Sequence, residues 1–197
     1  MQAAFSASEL RVLLAQLGAL LADQAEPLAL VIVGGAALNL AGTIARRTAD
    51  VDVLAIGQGT RDQPPAHVEV PAELPPVVLE ASARLARDLG LPPGWLNAAV
   101  GERGRFRLPE GFAGRVAWQR MGGLWLGIAG RQDLIAMKLH AAADQDSRSR
   151  HTADLCALRP TGAELDLAAA WVRQQDASPA FPALVAQVIA HVRADAS

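Results

Sequence analysis

Apolar side chains recur at Leu10, Leu13, Leu14, Leu17, Leu20 and Leu21, behind the string Ser6-Ala7-Ser8-Glu9. That spacing and the hydroxyl and glutamate three positions apart predict an amphipathic helix of about 17 residues opened by a capping box. Leu28 to Val33 is an unbroken apolar run ending at Gly34-Gly35, as expected of a strand buried on both faces. Ala36 to Ala41 reads as a short helix and Val51 to Ile56 as a second strand, stopped by Gly57 and Gly59. The proline-rich stretch 57–76 is expected to be a loop, with His67-Val68-Glu69-Val70 as an edge strand.

Further on, Leu79 to Leu89 is helical by pattern, and Pro92-Pro93-Gly94-Trp95-Leu96 predicts a turn or short helix. Two short strands are expected around Val116-Ala117-Trp118 and Leu124 to Ile128. From there the periodicity is helical only: Asp133 to Ala143, Thr152 to Leu158, a second capping box at Thr161-Gly162-Ala163-Glu164 leading to Trp171, and a last helix behind Ser178-Pro179. Phe181, Leu184, Val185, Val188, Ile189 and Val192 form its apolar face. The pattern is α/β (α+β): an α/β core over 1–130 and a helical part over 131–197, packed as one compact domain.

Composition narrows the function classes. A chain of 197 residues buries about 70 % of its unfolded surface, enough for a core without staples. The single cysteine, Cys156, has no disulfide partner within the chain and fits a reducing compartment as a small apolar side chain. A net charge of −2 excludes binding of nucleic acid through bulk charge, leaving only a local patch. The N-terminal MQAAFSASELR carries neither the basic nor the apolar segment of a secretion signal, so a cytoplasmic location is expected. The uncharged stretch Leu28 to Ala45 is interrupted by Gly34, Gly35, Asn39, Gly42 and Thr43, which excludes a membrane span.

The chemistry concentrates at the first strand's end. A glycine pair between a buried strand and a helix start lets backbone N–H groups approach an anion, and the helix dipole adds to that cradle. Asp50 and Asp52, two positions apart at the start of the second strand, place their carboxylates on one face with Cα atoms roughly 6.5 to 7 Å apart. Two such charges repel unless a cation lies between them, and Mg²⁺ favours one or two carboxylates plus substrate phosphates. Arg46, Arg47 and Thr48 directly precede the pair, as phosphate contacts or as solvated loop residues. His67, His140, His151 and His191 have no metal-ligand spacing.

Gly34-Gly35 followed by Asp50-x-Asp52 resembles the signature of the DNA polymerase β nucleotidyltransferase superfamily. The longer string Gly-Gly-x-Ala, then Arg46-x-Thr48-x-Asp50-x-Asp52, resembles its AbiEii-type branch, which includes bacterial toxins. The likeness is close over residues 28–56 and looser over Gly90 to Asn97 and 132–158. It implies a polymerase β-like fold and Mg²⁺ (or Mn²⁺)-dependent transfer of a nucleoside monophosphate from a nucleoside triphosphate to an acceptor hydroxyl on RNA or tRNA, a protein or a small molecule. An antitoxin protein is the implied partner of a toxin. Gly34 and Gly35 would cradle phosphates, Asp50 and Asp52 would hold the metal, and Arg46, Arg47 and Thr48 would contact the nucleotide.

In that branch a later lysine contacts the phosphates and a further aspartate completes the acidic site. Lys138 and Asp154 match them. Lys138 is the only lysine among 18 basic residues, and its neighbours Leu134, Ile135, Met137 and Leu139 imply a packed stem and a directed ammonium. A surface lysine, or an ion pair with Asp133 or Asp154, explains the same letters. Asp154 equally suits a helix-start cap, and Glu69 and Glu80 are rival third carboxylates, Glu69 on a strand where polymerase β-like enzymes place their general base. Arg103, Arg105, Arg107, Arg115, Arg120 and Arg131, interleaved with Phe106, Trp118 and Trp125, read either as an RNA groove or as surface arginines and core tryptophans. A catalytically degenerate nucleotide-binding or regulatory protein of the same fold is the alternative function. A dinucleotide-binding module is disfavoured, because Gly34 to Asn39 lacks G-x-G-x-x-G spacing.

Overall fold

The computed structural model describes residues 4–101, 107–145 and 149–195, which divide into two compact units at Ala129 and Gly130. The first unit is built on a five-stranded mixed sheet. Its elements are α1 (Ala7–Leu20), β1 (Leu28–Val33), α2 (Gly34–Leu40), β2 (Val51–Gln58), α3 (Pro76–Leu89), β3 (Leu96–Asn97), α4 (Phe112–Arg115), β4 (Ala117–Met121) and β5 (Leu124–Ile128). The sheet order is β3-β2-β1-β5-β4. β1 is central, antiparallel to β2 and parallel to β5, while the β2–β3 pair is parallel and the β4–β5 pair antiparallel.

The central position of β1 explains its unbroken apolar run, since five of its six residues are buried. Helices flank the sheet. α1 begins with the capping box of Ser6 and Glu9 and buries Leu10, Leu13, Leu14 and Leu17. Each such leucine, taken from water, contributes about 1.5–3 kcal/mol before entropy is counted. Trp95, 2 % exposed, closes the β3 side of the core, its indole N–H donating to the Ser82 carbonyl at 3.1 Å.

Two features depart from the sequence pattern. β2 runs through Gly57 to Gln58. Gly57 serves close approach rather than termination, because a Cβ there would stand 2.8 Å from the His67 carbonyl oxygen. The expected edge strand at 67–70 is a single bridge between Ile56 and Glu69. Of the two readings open for Pro92-Pro93-Gly94-Trp95-Leu96, the turn is realised, and it leads into β3.

The second unit consists of α5 (Arg131–Gln145), α6 (Arg150–Leu158), α7 (Gly162–Val172) and α8 (Phe181–Asp195). α5 packs against α6, α7 and α8. Every residue from Asp133 to Leu139 is buried, so this helix is enclosed on all sides along that run. α7 starts at the capping box of Thr161 and Glu164. α8 starts at Phe181 rather than at Ser178-Pro179, with Pro182 in its first turn, where a missing N–H costs no helical bond. Leu184, expected on its apolar face, is 43 % exposed. Among the described residues no helix is long and apolar enough to cross a membrane.

Candidate active site

β1 delivers the chain into Gly34, whose φ of +70° suits glycine, and α2 begins there with Gly34 and Gly35 as its first residues. No side chain caps this helix start, so its first N–H groups are not consumed by an N-cap residue. β2 returns antiparallel with Asp52 opposite Val33. That register sets the Asp52 carboxylate against the glycine turn: a Cβ on Gly34 would stand 2.6 Å from Asp52 Oδ2. A Cβ on Gly35 would stand 2.8 Å from Thr48 Oγ1 and 3.6 Å from an Arg46 guanidinium nitrogen. Gly34, Gly35, Arg46, Thr48 and Asp52 are therefore together in one place. Asp50 lies immediately before β2 and, like Asp52, is half-buried.

The loop that carries Asp50 is held from several directions. Asn39 of α2, 4 % exposed, donates to the Arg46 carbonyl at 2.8 Å. Thr48 is buried, donates through its hydroxyl to the Asp50 carbonyl at 3.3 Å, and exchanges backbone hydrogen bonds of 2.6 and 3.0 Å with Phe5. The Val51 N–H donates to the Trp95 carbonyl at 2.7 Å, and the Phe5 ring meets Trp95 edge-on.

Arg47 is engaged with the start of α1. Its guanidinium donates to the Ala4 carbonyl and to Glu9, the latter as an ion pair of 2.8 Å. Hydrogen bonds from the Ser6 side chain and backbone, then Arg47, hold the Glu9 carboxyl down at about 2. Arg47 thus ties the site loop to the first helix, whereas Arg46 flanks the glycine turn.

The rival third carboxylates lie elsewhere in this unit. Glu69 is bridged to Ile56, four residues along β2 from Asp52, a separation of about 13 Å along the strand. Glu80 is exposed on α3 beside Arg84 and Arg87, facing a surface cavity of 500 Å³. The residue beside Asp52 in the sheet is Asn97 of β3. Sequence reasoning assigned Asn97 no role; only the register reveals its position.

Lys138 and Asp154 belong to the second unit, and the structure brings these two together. The Lys138 ammonium donates to Asp154 Oδ2 at 2.6 Å, with the residues 4 % and 2 % exposed. Of the alternatives open from sequence, the ion pair with Asp154 is realised. Asp154 sits in the second turn of α6, and the cap of that helix is Ser149, which accepts from the Thr152 N–H.

Several arginines of the proposed groove are occupied within the protein. Arg120 lies 5.4 Å over the Trp125 ring and donates to the carbonyls of Thr60, Arg61 and Gly122, while the Trp125 indole also donates to Thr60. Arg131, in the other unit, is paired with Glu164 at 2.7 Å. Arg103, Arg105 and Phe106 lie outside the described residues. Burial, with Asp195 nearby, pushes the Cys156 thiol up, which favours the inert protonated form.

Among the described residues no group of three or more His, Cys, Asp or Glu side chains is arranged to hold a metal. Asp50 and Asp52 are hard carboxylates of the kind Mg²⁺ accepts, and that ion takes its remaining ligands from phosphates and water rather than from a protein cage. No curated protein and no solved structure matches the chain. A family profile described as "Nucleotidyltransferase of unknown function (DUF6036)" matches residues 8–158, a span that runs from α1 to the end of α6 and includes the glycine turn, Asp50, Asp52, Lys138 and Asp154. The chain belongs to this nucleotidyltransferase family.

Proposed function

We propose that the protein transfers a nucleoside monophosphate from a Mg²⁺ (or Mn²⁺)-bound nucleoside triphosphate to an acceptor hydroxyl, releasing pyrophosphate. The observation that carries this reading is the close approach of the Asp52 carboxylate to the glycine turn, where a Cβ added to Gly34 would stand 2.6 Å from Oδ2. A turn that offers backbone N–H groups to an anion, with a carboxylate against it, makes sense if a cation separates the two negative partners. Asp50 and Asp52 hold that cation. When bound, it neutralises the phosphates and the charge that develops on the leaving pyrophosphate.

The chain's own groups do the rest. N–H groups of the Gly34-Gly35 turn donate to phosphate oxygens, Arg46 adds a cation beside Gly35, and Thr48 holds the backbone of Asp50 in place. For Lys138 and Asp154 we retain the roles that the resemblance implies, phosphate contact and orientation of the acceptor. The resemblance to the AbiEii-type branch makes RNA or tRNA, a protein or a small molecule the acceptor classes to try, and an antitoxin protein the partner to seek.

Incubation with each labelled triphosphate, Mg²⁺ or Mn²⁺, and total cellular RNA or protein should label one acceptor pool. Labelling that survives in the Asp50→Ala/Asp52→Ala double variant would falsify the mechanism. One observation favours a second reading, a nucleotide-binding protein without turnover: the neighbour of Asp52 in the sheet is an amide, Asn97, where a third carboxylate would complete an acidic site. Calorimetry with each triphosphate and Mg²⁺, followed by an assay for pyrophosphate, separates the two, since binding without release supports the second.

A further inference from the structure

β2 and β3 run parallel with Val51 opposite Leu96 and Asp52 opposite Asn97. Parallel neighbours in register lie about 4.8 Å apart and point to the same face of the sheet. Val51 and Leu96 are buried, while Asp52 and Asn97 are both half-exposed, so Asn97 shares the open face that carries the site's carboxylate. Its side-chain orientation is fixed by chemistry. The Ala99 backbone N–H, which can only donate, lies 3.0 Å from Asn97 Oδ1, so that atom is the amide oxygen. The Nδ2 donor has one bond within the described residues, to the Gly94 carbonyl at 3.4 Å, beyond the usual range for N–H···O. An amide N–H on this face has capacity to spare.

We infer that Asn97 is a substrate-binding residue whose Nδ2 donates a hydrogen bond to a phosphate oxygen of the nucleotide held at Asp52. The inference rests on the nucleotidyltransferase reading and deepens it. A neutral donor suits that position. It adds no negative charge beside Asp50 and Asp52, and it binds anionic oxygen without competing for the cation. An amide takes up no proton at neutral pH, so deprotonation of the acceptor hydroxyl falls to another group. The turn after Gly94 and the Trp95 anchor explain why the donor is rigid: the Trp95 indole is pinned to Ser82, and the Trp95 carbonyl accepts from Val51.

The test is calorimetric titration of wild type, Asn97→Ala and Asn97→Asp with each Mg²⁺-nucleoside triphosphate and with inorganic triphosphate, alongside thermal unfolding. A bond from a neutral donor to a charged oxygen predicts about ten- to a hundredfold weaker binding of both probes by Asn97→Ala. Asn97→Asp keeps an acceptor for the Ala99 N–H, so its unfolding temperature should match wild type while its affinity falls at least as far as that of Asn97→Ala. Wild-type affinity in Asn97→Asp overturns the inference and leaves Asn97 as a turn residue. Loss of nucleoside triphosphate binding with inorganic triphosphate binding unchanged overturns the phosphate assignment. A wild-type protein that binds neither probe defeats this inference and the proposed function together, whereas wild-type binding that Asn97→Ala leaves intact defeats this inference alone.

Discussion

In the first unit the acidic groups of interest, Asp50 just before β2 and Asp52 within it, stand half-exposed, and Asp52 lies against a turn where Gly34 makes room for it. In residues 130–195 the charged residues Lys138 and Asp154 are enclosed in helix packing and satisfy one another at 2.6 Å. A half-exposed carboxylate against a positive-φ turn is open to a ligand, and the proposed function uses it so. A buried ion pair is first a structural element, and any role with a nucleotide is added to that.

The largest expected contrast is functional. Asp50→Ala/Asp52→Ala should lower nucleotide transfer by at least about a thousandfold, while thermal unfolding shifts by only a few degrees. A stability loss that accounts for the lost activity would turn the open site into a structural one. Lys138→Met reverses the pattern. It takes the ammonium away from the buried Asp154 carboxylate and should cost about 3–5 kcal/mol in urea unfolding, with much of that recovered in Lys138→Met/Asp154→Leu. A single variant as stable as wild type would erase the distinction between the two units.

Gly34→Ala probes the boundary between packing and chemistry. A Cβ at φ +70° and 2.6 Å from Asp52 Oδ2 strains the backbone and displaces the carboxylate, at a cost of about 1–2 kcal/mol. Triphosphate affinity should fall with it. Unchanged affinity in a folded variant would separate the turn from the nucleotide.

Legibility in the sequence followed the range of the forces involved. β1, the glycine turn, both capping boxes and α5 were readable because their signals are local: an apolar run, a hydroxyl three residues before a glutamate, a helical repeat. The spacing of Asp50 and Asp52 is equally local, although the structure starts β2 one residue after Asp50. β3 was not. It is two residues long and exists only because β2 offers an edge, so no periodicity announces it. Asn97 was hidden with it, since its interest comes from its partner across the sheet. Arg47 was ambiguous because an arginine before an aspartate pair looks the same whether it faces a phosphate or Glu9; only the fold brings residues 9 and 47 together.

The smallest effects compare one device used twice. Each unit has a capping-box glutamate that also takes an arginine, Glu9 with Arg47 and Glu164 with Arg131. Both carboxyls are lowered from 4.5 to about 2, Glu9 first by the Ser6 hydroxyl and Glu164 first by Arg131. A depressed folded-state value means the contribution to stability is present above pH 4.5 and fades as pH falls toward 2. Glu9→Gln and Glu164→Gln should therefore each unfold slightly below wild type at pH 7, by no more than about 3 °C, and the gap should close near pH 2. The two should part in function. Arg47 directly precedes Thr48, so releasing it from Glu9 loosens the loop that carries Asp50, and Glu9→Gln should weaken triphosphate binding by a few fold. Glu164→Gln should leave that binding unchanged. Equal effects of the two variants on binding would show that the capping box of α1 is a helix start and nothing more.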